Sequence, residues 1–154
     1  MIETPRVVDA PAQLVAAVHI ETTRSEIQRV MGPGISEVMA AVHHQGIGPV
    51  GPWFAHHLKM MPESFILDIC VPVSAAVTPV GRVTAWERPA LKVARTVYQG
   101  PYEGLGDAWR EFTAWLEANR FKTDDDLYEA YLVGPESSAN PADWRTEFSK
   151  PITE

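Results

Sequence analysis

The sequence predicts an α+β domain: two pseudo-symmetric strand-helix-strand-strand repeats forming one mainly antiparallel sheet with helices on one face. Three observations lead there. The first is internal repetition: Asp9-Ala10-Pro11-Ala12-Gln13-Leu14-Val15-Ala16 returns as Glu87-Arg88-Pro89-Ala90-Leu91-Lys92-Val93-Ala94, acidic residue, one position, Pro-Ala, two positions, Val-Ala. Second, each copy runs into a strand-like segment, Ala17-Val18-His19-Ile20 or Arg95-Thr96-Val97-Tyr98, and then into one amphipathic helix. Third, each half closes with strand-like segments and a similar ending, Val71-Pro72-Val73 or Lys150-Pro151-Ile152. Neither unit alone has a second layer for both its sheet and its helix. The repeats, about 6–73 and 82–152, are therefore expected to build a single domain over 1–154.

The elements follow in order. Strands are expected near 6–8, 13–20, 51–57, 65–72, 82–87, 91–98, 127–133 and 145–149. The runs 65–71 and 91–98 carry the β-branched and aromatic residues that suit a pleated, half-buried surface. In the first half, Ile35, Val38, Met39 and Val42 form a helical stripe, with Gly46 as its stop and Gly32-Pro33-Gly34 as a loop ahead of it. In the second, Leu105, Ala108, Trp109, Phe112 and Leu116 recur at steps of three and four. Gly100-Pro101 punctuates the start of that helix, and Glu103 and Asp107 place negative charge at the positive end of its dipole.

Composition narrows the function classes. A net charge of -7 without a Lys/Arg run offers no basic stripe for counterion release from duplex DNA, so no nucleic-acid-binding module is expected. No apolar stretch approaches the roughly 20 residues of a membrane span, and the N-terminus lacks the layout of a signal peptide. A cytoplasmic protein is the default. The single cysteine, Cys70, rules out an intramolecular disulfide and reads as a buried small hydrophobe. His43 and His44 point about 100° apart on their helix, and His56 and His57 lie on opposite sides of a strand. Neither pair makes a metal site. No haem-ligand histidine stands out, so no cofactor is expected. Neither a phosphate-binding glycine loop nor a Gly-x-Ser-x-Gly elbow occurs.

The strand 127–133 carries the clearest chemical signal. Alternation puts Leu127, Glu129, Tyr131 and Val133 on one side and Tyr128, Ala130 and Leu132 on the other. An acid bracketed by apolar and aromatic neighbours either faces water on a half-exposed strand or lines a cavity. In a cavity it would call for a cation or a hydrogen-bond donor, and aromatic walls would add cation–π attraction. Aligning the halves sets Trp53-Phe54-Ala55-His56 against Tyr128-Glu129-Ala130-Tyr131. On that alignment Phe54 and His56 join Glu129 and Tyr131, Phe54 as an apolar wall or plain core, His56 as a titratable contact or a surface residue. Trp86 can reach a cleft from its Pro-Ala turn. Tyr98 and Tyr102 flank Gly100-Pro101 as lid or packing anchors. Trp109, Phe112 and Trp115 read as core or helix-edge packing, and Asp124, Asp125 and Asp126 as a solvated loop.

The run Tyr98-Gln99-Gly100-Pro101-Tyr102-Glu103-Gly104-Leu105 resembles the Gly-x-Tyr-x-x-Leu segment opening the second helix of GyrI-like (gyrase-inhibitory-protein-like) proteins. Trp115-Leu116, Glu129-Ala130-Tyr131-Leu132, Gly134-Pro135, Pro141, Thr146 and Lys150-Pro151-Ile152 follow in the family's order, and Gly48-Pro49 and Gly51-Pro52 resemble its first half. Asn119-Arg120-Phe121 and Thr123-Asp124-Asp125-Asp126 depart from the family pattern at one pocket rim. The resemblance implies a stand-alone relative of the effector-binding domains of AraC- and MerR-type multidrug regulators. Such a domain binds hydrophobic, cationic aromatic small molecules in a cleft between the repeats, with Glu129 as the central acid. It also implies an alternative, a hydrolase of cyclopropane-bearing electrophiles using Glu129 and Tyr131 as acid/base and partner. A protein partner, a regulator or a topoisomerase, is a third implication.

Overall fold

The computed structural model describes residues 2–61, 63–135 and 137–153, and it is α+β with antiparallel strands, the fold class the sequence pattern predicts. The strands are β1 (Arg6–Ala10), β2 (Gln13–Thr23), β3 (Phe54–Met60), β4 (Ser64–Pro72), β5 (Val83–Arg88), β6 (Leu91–Gln99), β7 (Leu127–Val133) and β8 (Arg145–Pro151). The helices are α1 (Ile27–Gln45) and α2 (Leu105–Ala118). Two compact units divide the chain: Pro11–Ala90, and Met1–Ala10 together with Leu91–Glu154.

In the Pro11–Ala90 unit the strand order is β3-β4-β2-β5, every pair antiparallel. Helix α1 packs on β2 and β4 through Gly34, Val38, Ala41 and Val42, all buried. The helix begins eight residues before the periodic stripe and runs through Gly32-Pro33-Gly34, which the sequence reading assigns to a loop. Pro33 lacks the N–H that would bond back one turn, a loss of about 3 kcal/mol or more in a helix interior. The exposed position of Pro33 keeps its ring off the sheet, and the next residue explains the local composition. A Cβ at Gly34 would come within 2.7 Å of Ile69 Cδ1 and 2.9 Å of Ile20 Cδ1, so only glycine lets the helix lie this close. Gly46 ends α1 at φ 69, its N–H bonding His43 and Val42 carbonyls, as its place after the stripe predicts.

Strand β3 starts three residues later than expected. Pro52 has no N–H for a ladder, and the preceding loop is instead tied to the end of β4 by Val50 N–H donating to Pro72 O at 3.0 Å. Strand β2 runs on to Thr23 because Thr22 and Thr23 still pair with Phe65 and Ser64. Cys70, in the middle of β4, is 0% exposed, and burial pushes its thiol far up from its usual pKa.

In the second unit the strand order is β7-β8-β6-β1, again antiparallel throughout. Here Ala108, Phe112 and Leu116 of α2 close on Ala94, Tyr98 and Phe148 of the sheet. A 3-10 turn, Tyr102–Gly104, leads into α2. A Cβ on Gly104 would overlap the Tyr98 hydroxyl, which donates to Pro101 O at 2.8 Å. That bond closes the Tyr98-to-Leu105 run onto itself and fixes where α2 begins. The strand that leads each sequence repeat does not pair with its own repeat. Strand β1 pairs with β6, and β5 pairs with β2.

Candidate functional site

Glu129 lies on β7 directly opposite Phe148 of β8, and Tyr131 opposite Thr146. Opposed residues share a face of an antiparallel pair, and Phe148 packs against α2. The helix-covered face of the sheet therefore carries Glu129 and Tyr131 together, as the alternation along the strand predicts. Glu129 is 8% exposed. Its Oε1 accepts from the Tyr131 hydroxyl at 2.7 Å and its Oε2 from Trp109 Nε1 at 2.6 Å. Burial, then the charge of Glu129 and its hydrogen bond, holds the Tyr131 phenol well above its usual pKa of 10. Tyr131 is thus a steady donor to the carboxylate.

Further rings pack against the two donors and against Phe148. Trp109 stacks on Phe148 with centroids 4.3 Å apart and planes 12° off parallel, and Tyr98 stacks on the same Phe148 at 6.4 Å. Tyr102 meets Tyr131 edge-on at 6.1 Å and Trp144 at 4.7 Å. Trp144 is itself pinned by Nε1 donating to Ser138 O at 2.9 Å. Of the residues singled out in the sequence, Glu129, Tyr131, Tyr98 and Tyr102 are gathered here. Trp109, Phe148 and Trp144 complete the group. Helical periodicity places Trp109 on a buried stripe but does not say that its N–H must find an acceptor; a buried indole does need one, and Glu129 supplies it.

Phe54, His56 and Trp86 belong to the Pro11–Ala90 unit. His56 stacks on Trp86 at 5.3 Å, nearly parallel, and the Arg88 guanidinium lies 5.7 Å from the Phe54 centroid. Arg88 also donates to Pro11 O at 2.8 Å. The repeat equivalence differs from the sequence alignment by one residue. Ala55 opposes Ile69 and His57 opposes Leu67, and Ile69 is the residue against which Gly34 of α1 rests. So Ala55 and His57 face α1 as Glu129 and Tyr131 face α2, while Phe54 and His56 turn to the other side of their sheet. A slip of one residue reverses every side chain, and the aromatic match that suggested the alignment carries no information about parity.

On the same side as His56, His19 stands across from Asp68. His19 Nδ1 lies 2.7 Å from Asp68 Oδ1 and Nε2 lies 2.9 Å from Glu21 Oε2. With a carboxylate on each ring nitrogen, the bond to Glu21 first and that to Asp68 next raise the His19 pKa above 6.5. A raised folded-state pKa contributes stability that is full below the unfolded value and is lost as pH rises through the folded one. His19→Gln should therefore lose more stability relative to the parent at pH 5.5 than at pH 8.5 in urea unfolding. An equal loss at both would mean that the ring is not charged in the folded protein. Among the described residues no group of three His, Cys, Asp or Glu side chains is placed to hold a metal ion, and no helix is long and apolar enough to cross a membrane.

Comparison with known proteins adds a family and several folds. The family model for the GyrI-like small molecule binding domain matches residues 3–152. No curated protein sequence matches the chain. Among solved structures, the EcmrR C-terminal domain is 20% identical with a TM-score of 0.85, the match covering 98% of each chain. EcmrR in its cryo-EM complex with DNA matches with the same identity and a TM-score of 0.86, over 97% of this chain but only 57% of that one. This chain thus spans little more than half of that protein. SAV2435, solved bound to tetraphenylphosphonium, is 12% identical with a TM-score of 0.71, covering 98% of this chain and 94% of its own. At these identities the likeness is one of fold.

Proposed function

Because the chain belongs to the family of GyrI-like small-molecule-binding domains, we propose that it captures a hydrophobic, cationic aromatic compound, for sensing or sequestration, with Glu129 as the acidic anchor. One observation carries this reading: a buried carboxylate oriented by two aromatic donors. Trp109 and Tyr131 are neutral, so they aim the carboxylate without cancelling its charge. Indole and phenol faces then favour a cation by roughly 0.5–2 kcal/mol each when water is excluded. Tetraphenylphosphonium, the compound bound to the structural relative SAV2435, has the required charge and aromatic surface.

Charge selectivity is the test. In thermal unfolding, methyltriphenylphosphonium and tetraphenylphosphonium should raise the melting temperature progressively as their concentration exceeds Kd, since they bind the native state alone. The neutral triphenylphosphine oxide, of similar shape, should give under a third of that shift. Equal shifts from cations and the neutral analogue would remove the acidic anchor from the reading.

The Tyr131–Glu129 contact supports a second reading, hydrolysis of a cyclopropane-bearing electrophile with Glu129 as acid/base. Two structural relatives from Listeria innocua are described as hydrolases, at 12% identity each. Mass-spectrometric loss of such a substrate, abolished in Glu129→Gln, would favour it; tight binding without consumption would leave capture as the function.

A further inference from the structure

Thr146 occupies the centre of the row Tyr98–Thr146–Tyr131 across β6, β8 and β7. It shares their helix-covered face, two residues before Phe148 along β8. Its side chain is 0% exposed, and among the described residues its hydroxyl has no hydrogen-bond partner. A hydroxyl can donate one bond and accept two, and leaving it unpaired in a buried site destabilises the folded state. Valine has the same shape and would fill a β-strand position between two tyrosines without that penalty. The hydroxyl is thus a polar group that could pair with a bound molecule.

We propose that Thr146 is a second polar anchor of the ligand site, selecting aryl cations that carry a hydroxyl or similar hydrogen-bonding group over those of the same charge and shape that lack one. The inference rests on the capture function proposed above. Glu129 and Thr146 are diagonal neighbours on adjacent strands, Glu129 being opposite Phe148 and Thr146 opposite Tyr131. Such positions lie roughly 7–8 Å apart, a span bridged by one para-substituted ring with the charge at one end and the polar atom at the other. The flanking Tyr98 donates its hydroxyl hydrogen to Pro101 O, and no hydrogen bond joins it to Thr146. Tyr131 likewise donates its own to Glu129.

The experiment compares tetraphenylphosphonium with (4-hydroxyphenyl)triphenylphosphonium, by calorimetry at a pH where the phenol is protonated, on the parent protein, Thr146→Val and Thr146→Ser. Thermal unfolding without ligand is measured beside it. The parent should prefer the hydroxylated probe by about 5–10-fold, the worth of one hydrogen bond in a desolvated site. Thr146→Val should abolish that preference while holding tetraphenylphosphonium affinity within about twofold, and Thr146→Ser should keep it. Ligand-free Thr146→Val should melt no lower than the parent, because it removes an unpaired hydroxyl at constant shape. A preference that survives in Thr146→Val overturns the inference, as does a clear fall in that variant's melting temperature, which would mean the hydroxyl is already paired within the protein. If the parent binds both probes alike, the Glu129 site stands and the role of Thr146 alone falls. If it binds neither, the capture function fails and takes this inference with it.

Discussion

Glu129→Gln should weaken tetraphenylphosphonium binding by about 10–100-fold, the fold-change equivalent of roughly 1.5–3 kcal/mol for an interaction with a charged group. Two effects combine. The substitution removes the only formal charge that the Trp109–Glu129–Tyr131 set contributes. It also breaks the set's symmetry. The carboxylate accepts from both donors, whereas the glutamine amide offers one carbonyl and one NH₂, so one donor faces another donor. The neutral triphenylphosphine oxide controls for that second effect, since its affinity reports geometry without charge. Trp109→Phe supplies the complementary control: it deletes a donor, keeps the charge, and should leave cation binding within a few-fold of the parent. Calorimetric titration of the three proteins checks this. Unchanged cation affinity in Glu129→Gln would mean that the acid only ties α2 to the sheet.

Phe148→Ala should cost about 3–5 kcal/mol of folding stability, the range for truncating a fully buried phenylalanine. For a chain of this size that is a fall in Tm of roughly 10 °C. Phe148 is 0% exposed, and both Trp109 and Tyr98 stack on its ring. It also lies directly across from Glu129. Truncation thus opens a void under the indole that holds the carboxylate, and cation affinity should fall with stability. Thermal unfolding and the same titration check both halves. A drop in Tm under about 2 °C would show that the site collapses around the void and that the stack is not what positions Trp109.

How much of this was legible in the sequence follows from the range of each signal. The Glu129–Tyr131 pairing is a period-2 statement about one strand, and strands carry that period without help from the rest of the chain. Helix α2 was equally readable from its stripe. The start of α1 was not, because Gly32-Pro33-Gly34 has the local chemistry of a loop, and only the close approach to Ile69 and Ile20 explains a glycine there. The role of Trp109 needed a partner 20 residues away in sequence, which helical periodicity does not identify. The one-residue slip between the repeats arose because Trp53-Phe54 matches Tyr128 in aromatic character but not in parity. Nor could the repeat pattern reveal which strands β1 and β5 would join, since pairing is set by registers far apart in the chain.

That exchange of leading strands has a consequence for how the protein is made. The Pro11–Ala90 unit holds all four of its strands and its helix in one uninterrupted stretch. The unit that carries Glu129 is assembled from both ends of the chain, with β1 as the partner of β6 across more than eighty residues. On the ribosome, the first can finish as soon as residue 90 has emerged, while β1 waits with its ladder unfilled until β6 appears. Glu129, the proposed anchor, is then set in place last, when β8 pairs with β6 and β7 with β8.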